Sequence, residues 1–211
     1  TQELLFELDE LITNHRIPQI PIFIDSPLAI HATEVYRKYG HYFNTDVQSM
    51  IRAGDQIFQF PGLRFTLSKD ESRAINDVPG PKVIIAGSGN SMGGRILHHE
   101  RRYLPDPKST LLIVGYQDKG SRGRRLQDGA KEVKIFREIV PVRAHIETLS
   151  GYSAHADQEA LFSLVANMEQ RPKAVYLVHG EPDASQALAV RIRDNLGVKS
   201  RGAKAGESVE V

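Results

Sequence analysis

Short apolar runs alternate with segments of helical periodicity along most of these 211 residues, and that alternation confines the chain to a layered α/β fold. The runs at 20–24, 63–67, 82–86, 110–114 and 173–178 are five or six residues long, which suits strands and is too short for helices. The run Lys82-Val-Ile-Ile-Ala86 shows little polar alternation, as parallel strands covered on both faces do. Two further strands are expected at 131–136 and 140–149. In the second, Val140, Val142, Ala144 and Ile146 alternate with Pro141, Arg143, His145 and Glu147, so His145 belongs on the wet face.

The helices between them carry start and stop signals. Leu4, Leu5, Leu8, Leu11 and Ile12 form one face of a helix over 2–14. Ser26 and Pro27 supply an N-cap and a first-turn proline for a helix that runs to Tyr39 and ends at Gly40. Residues 44–53 read as a helix stopped by Gly54. Ser68 and Glu71, three apart, form a capping box for a helix through about residue 76. Another follows from Arg95 to Leu104. Asp157 caps a helix marked by Leu161, Leu164, Val165 and Met168, and Ala184, Leu188, Ile192 and Leu196 mark a last one that Gly197 ends. Residues 199–206 read as a loose polar tail. The expected fold is α/β, a mostly parallel sheet flanked by helices.

Composition narrows the function. An apolar content of 40% supports one large or two small domains. With 27 Lys+Arg against 26 Asp+Glu, the chain makes no global electrostatic claim on nucleic acid, so any basic surface is local. There is no cysteine, so a metal would have to be held by His, Asp or Glu; this fits a reducing compartment, and a cytoplasmic location is expected. The first residues lack a signal peptide's basic start and apolar run, and no stretch approaches the roughly 20 apolar residues of a membrane span. The sequence opens at Thr1 inside a helical pattern, and the expectation is a piece of a longer protein.

Side chains at the carboxyl ends of strands in an α/β sheet converge on one crevice, where ligands bind. Two histidines stand at such ends, His155 in Ser150-Gly-Tyr-Ser-Ala-His-Ala-Asp157 and His179 in Leu177-Val-His-Gly-Glu181. Imidazole exchanges protons near neutral pH and is the commonest metal ligand, so the pair can divide those tasks, or can simply close two turns. Asp25 also follows a strand, where a capping or turn role is the simpler reading.

The segment Gly87-Ser-Gly-Asn-Ser-Met-Gly-Gly94-Arg95 lets backbone N–H groups approach an anion at a helix start, although glycines serve ordinary turns as well. It matches neither the P-loop nor the dinucleotide fingerprint. His98 and His99 are neighbours on a helix and point apart, which argues against a joint metal site. Lys119, Arg122, Arg124 and Arg125 place four cations in seven residues beside Tyr116; they suit a phosphodiester backbone or a solvated loop equally.

Taken together, Ile24-Asp-Ser-Pro-Leu-Ala29, Met92-Gly-Gly-Arg95 with His98-His99, Val114-Gly-Tyr-Gln117, Gly123-Arg-Arg-Leu126, Asp128-Gly-Ala-Lys131, Tyr152-Ser-Ala-His-Ala-Asp157 and Val178-His-Gly-Glu181 resemble the motifs of the β-CASP branch of the metallo-β-lactamase superfamily. The resemblance covers nearly the whole chain. Its members are RNA-processing nucleases, among them the endonuclease subunit of the cleavage and polyadenylation specificity factor and its prokaryotic relatives.

The resemblance implies a β-CASP domain over 1–149 and, over 150–211, the C-terminal portion of a metallo-β-lactamase αββα fold. It implies His155 as general acid and His179 as a zinc ligand. Ser153 becomes a phosphate contact, and the loop at Ser88 and Gly89 faces the same cleft; with Arg95, and with Arg122 and Arg124 from the run of cations, these are the expected phosphate-binding residues for single-stranded RNA. Two Zn2+ ions are the implied cofactors. The family's other metal ligands belong to an N-terminal metallo-β-lactamase half that these residues do not contain. A catalytic zinc needs about three protein ligands, so this chain alone is expected to be inactive. Relatives often dimerise, and a homodimer is the assembly the resemblance allows. Two functions are therefore expected in order, a zinc-dependent ribonuclease and a non-catalytic RNA-binding scaffold. A doubly wound nucleotide-binding enzyme rests on fold analogy alone.

Overall fold

In a computed structural model that describes residues 1–152 and 155–209, the chain divides into two compact units, Thr1–Ser153 and Ala154–Val211. The first unit runs α1 (Gln2–Thr13), β1 (Ile22–Ile24), α2 (Pro27–Lys38), α3 (Thr45–Arg52), β2 (Leu63–Phe65), α4 (Lys69–Ala74), β3 (Val83–Ile85), α5 (Ile96–Tyr103), β4 (Thr110–Ile113), α6 (Arg122–Gln127), β5 (Glu132–Ile135), β6 (Glu138–Pro141) and β7 (His145–Thr148).

The strands of this unit fall into three small sheets. β2, β1 and β3 are parallel and lie in that order, with Phe23 of β1 opposite Arg64 on one side and Ile84 on the other. β1 is thus central, and the chain departs from it first to one side and then to the other. That reversal is the topological switch point at which α/β sheets open a crevice. β4 and β7 pair in parallel, and β5 and β6 form an antiparallel hairpin.

Helix ends follow the sequence signals. Ser26 Oγ accepts from Ala29 N at 3.3 Å and Asn44 Oδ1 accepts from Val47 N at 3.0 Å, each satisfying one N–H that a helix start leaves unpaired. At α4 the capping box is complete: Glu71 N donates to Ser68 Oγ and Ser68 N donates to the Glu71 carboxylate. Leu5 and Ile12, seven apart on α1, pack with Ile22 and Ile24 of β1, Ile30 of α2 and Phe58. A second cluster joins Leu97 and Leu104 of α5 to Leu126, Val133, Ile135 and Val140. Fully burying each such side chain contributes about 1.5–3 kcal/mol.

The stretch expected as one strand at 140–149 is two. After Pro141 the chain leaves β5, and the N–H groups of Arg143 and Ala144 donate to Leu104 O before β7 begins. His145 is exposed, as its alternation requires.

The second unit consists of α7 (Gln158–Ala166), β8 (Ala174–Leu177), α8 (Pro182–Leu196) and β9 (Lys199–Gly202). Val165, Leu188, Ile192 and Val198 form its core. β8 and β9 are parallel, with Val175 opposite Ser200. The tail expected to be loose therefore contains a strand: Ser200 is buried while Lys199 and Arg201 are exposed. No helix among the described residues is long and apolar enough to cross a membrane.

Candidate functional site

The carboxyl end of β1 delivers Asp25 into the crevice at the switch point, where it is completely buried. Four side chains from three directions converge on it. Thr66 Oγ1, just past β2, donates at 2.7 Å, and Ser72 Oγ of α4 donates at 2.6 Å. Arg95 Nη1 and His99 Nε2, from the start and middle of α5, lie 2.7 Å from Oδ1 and Oδ2 respectively. Since a carboxylate accepts only, His99 carries its proton on Nε2. Burial pushes the Asp25 carboxyl upward, but the bonds from Ser72, His99, Thr66 and Arg95 outweigh it and hold the pKa below its ordinary value.

Sequence reading gave Asp25 a turn or capping role, yet the α2 cap is Ser26 and Asp25 is the hub of this network. Arg95 also donates to Thr66 O and Leu67 O, so several of its donors close the crevice wall. His98 points away from His99, is exposed, and lies with its ring 4.7 Å from that of Phe136.

The glycine-rich loop follows β3 directly and closes on itself. Ser88 Oγ accepts from Met92 N and Gly93 N, both at 3.2 Å. Gly94 has φ +74, and a Cβ there would lie 2.5 Å from Gly87 O, so only glycine allows this return. The loop is then stapled to the segment after β4. Gln117 Nε2 donates to Gly89 O at 2.9 Å, Asp118 N donates to Asn90 Oδ1 at 3.1 Å, and Gly123 N donates to Asn90 O at 3.0 Å.

Two charged groups brace the loop from beneath. The carboxyl of Glu100, buried in α5, accepts from Ser91 Oγ, and its other oxygen has no protein partner. Burial pushes its pKa up to about 7, against opposing effects of Ser91 and Arg122. Arg122 donates through Nε to Lys134 O at 3.0 Å and through Nη1 to Ser91 O. Arg124 pairs with Asp128 one helical turn on, at 2.9 Å, and Arg125 is exposed.

In the second unit, His155 is exposed and stands two residues before Asp157, whose carboxylate accepts from Ala160 N at 2.8 Å to cap α7. Ser153 lies outside the described residues. His179 follows β8 in the left-handed region, with φ +64, a conformation uncommon for a residue with a side chain and frequent at functional positions. It lines an open groove of about 640 Å³ together with Ser185 of α8 and Arg201, Gly202 and Lys204 of and after β9.

Among the described residues no three His, Asp or Glu side chains converge to hold a metal ion. The groove beside His179 instead carries two cationic side chains, so the described residues do not by themselves fit a zinc ion.

The chain is thus α/β, with a switch-point crevice and a braced glycine loop after β3 in its first unit and a histidine in the left-handed region after β8 in its second. The chain belongs to the Beta-Casp domain family, whose model matches residues 1–126. The Zn-dependent metallo-hydrolase RNA specificity domain matches residues 139–201. All of this chain is 38% identical to a ribonuclease of Thermus thermophilus, covering 47% of that protein. All of it is also 30% identical to the transcription termination factor FttA of Methanosarcina mazei, covering 34%. An RNase J-like protein of Methanocaldococcus jannaschii is 32% identical over 93% of this chain and 44% of its own length. The chain thus spans less than half the length of each of these relatives.

Proposed function

We propose that these residues are part of a zinc-dependent ribonuclease that hydrolyses phosphodiester bonds of single-stranded RNA. The carrying observation is the metallo-hydrolase RNA specificity match over 139–201, which includes both His155 and His179. Residues 1–149 act as the domain that grips the strand, and 150–211 as part of the hydrolytic domain.

In this reading His179 contributes one ligand to a metal centre whose other ligands come from polypeptide outside these residues. Zinc held there, with those further ligands, would lower the pKa of a bound water and offset phosphate charge. His155 gives a proton to the departing ribose oxygen, a task imidazole suits. Ser88, Gly89, Ser153 and Arg124 contact phosphate. Arg95 and Arg122, which direct donors to their own fold, add positive potential beneath the glycine loop and keep it in shape.

The test is zinc-dependent cleavage of labelled single-stranded RNA by this chain and by the longest gene product that contains it. Cleavage by the longer protein alone is expected. In that protein His179→Ala should lower zinc content, whereas His155→Ala should slow cleavage with zinc content unchanged. Equal metal loss in both variants removes the assigned division of roles. A longer protein that binds RNA and cleaves none is a scaffold.

A further inference from the structure

The chain turns sharply after α2, and the turn leaves an aromatic cluster in solvent. The rings of Tyr39, His41 and Tyr42 lie within about 6 Å of one another: His41 is 4.3 Å from Tyr42 and 5.9 Å from Tyr39, and Tyr39 is 6.2 Å from Tyr42. Tyr42 is 80% exposed and Tyr39 45%. Water does not favour such an arrangement, and apolar side chains that are free to move turn inward.

Here the turn is held open. Gln48 of α3 donates from Nε2 to His41 O at 3.0 Å and to Phe43 O at 2.6 Å, and Asn44 caps α3 immediately beyond. Behind the exposed rings, Phe43 packs at 6.1 Å from Tyr36 and 6.4 Å from the buried ring of Phe58, so the cluster is rooted in the core. The rings are presented by a preformed support, which lowers the ordering cost of a ligand that stacks on them.

The cations nearest the rings lie on the α2 side. Lys38 Nζ sits 5.6 Å from the centre of the Tyr39 ring and Arg37 precedes it, while Asp46, in the first turn of α3, is the nearest acid after the cluster. Glu34, the nearest acid before them, faces His31 at 3.3 Å. Exposed π-faces with a cation set against one of them match a ligand of stacked rings joined by anions, which is single-stranded nucleic acid.

We infer that Tyr39, His41 and Tyr42, with Lys38, form a stacking platform for unpaired RNA bases. The site is separate from the Asp25 crevice. α2 begins at the carboxyl end of β1, and its 12 residues carry the chain about 18 Å away along the helix axis. It therefore binds apart from the Asp25 network. The choice of RNA rests on the ribonuclease reading; the presence of a base-stacking site does not.

The experiment compares binding of this chain to a fluorescent uridine oligomer and to an abasic oligomer with the same number of phosphates. Wild type should prefer the base-bearing strand. Tyr42→Leu should lose roughly 5-fold or more of that affinity, and Tyr39→Leu with Tyr42→Leu more than either alone, with little change for the abasic strand. Tyr42→Trp, which keeps a ring, should retain binding and show that the leucine variants fail for lack of a π-face. Three results overturn the platform: equal binding of the two oligomers by wild type, no binding of either, or unchanged affinity in the doubly substituted chain. A concentration-dependent dimer in wild type that the leucine variants abolish assigns the patch to a second protein chain and also overturns it. None of these decides whether the longer protein cleaves RNA, so the platform and the nuclease reading stand or fall separately.

Discussion

Arg95 and Asp25 are 70 positions apart in sequence and 2.7 Å apart in space, with the carboxylate completely buried. This contact ties the end of β1 to the start of α5 and so fixes where the glycine loop between β3 and α5 can lie. His99, one turn along α5, makes the second tie at 2.7 Å. A buried charge is tolerable only when paired and hydrogen-bonded, and Asp25 meets that condition through four side chains.

Asp25→Asn should therefore be costly out of proportion to its size. Removing the charge leaves Arg95 and His99 facing a neutral amide, and breaking a buried pair costs about 3–5 kcal/mol. Because the folded pKa of Asp25 is lowered, its contribution is fully present above the ordinary carboxylate pKa and is lost as pH falls through the folded value. Urea unfolding followed from neutral to acid pH should show a steeper acid loss in wild type than in Asp25→Asn. Parallel curves would mean that the network does not hold the charge.

Glu100 has the opposite sign. Its folded pKa of about 7 lies above the ordinary glutamate value of 4.5, so its stabilisation is complete below pH ~4.5 and declines as pH rises to about 7. The shift corresponds to roughly 3 kcal/mol. Glu100→Gln, neutral at every pH, should flatten this decline and be more stable than wild type at pH 8. If the variant keeps the wild-type pH profile between 4.5 and 7, Glu100 is not the titrating group.

Local signals were readable and distant ones were not. The capping box of Ser68 and Glu71 and the proline-led start of α2 depend on residues three or four apart, and both formed as the sequence implied. The role of Asp25 depends on partners 41 to 74 positions away, which no spacing rule encodes. β9 escaped because Lys-Ser-Arg-Gly has no apolar residue to alternate; Ser200 alone is buried, and pairing to β8 makes the strand. The break between β6 and β7 escaped because alternation continues across Pro141 while the hydrogen-bond partners change.

Gly123 marks the tightest approach in the staple between the two loops. A Cβ there would lie 1.7 Å from Gln117 Oε1 and 3.2 Å from the Asn90 carbonyl carbon, and Gln117 is buried with its amide bonded to Gly89 O. Gly123→Ala should cost about 1–3 kcal/mol as an overpacked site. In a Gln117→Ala background the closest obstruction is gone and only the 3.2 Å approach to Asn90 remains, so the same change should cost clearly less, a coupling that a double-mutant cycle reads directly. Equal costs in the two backgrounds would show that the loops are not joined through this amide.

At His179 two demands can be separated by choice of replacement. The left-handed φ of +64 is tolerated by asparagine and disfavoured for alanine by roughly 1–2 kcal/mol, whereas a metal ligand requires the imidazole. In thermal unfolding of this chain, His179→Asn should stay near wild type and His179→Ala should fall below it. With His179 as the zinc ligand proposed above, both variants of the longer protein should lose zinc alike, because neither side chain supplies the ring nitrogen. Zinc retained by the asparagine variant but lost by the alanine variant would make His179 a turn residue whose conformation, and not its ring, supports the site.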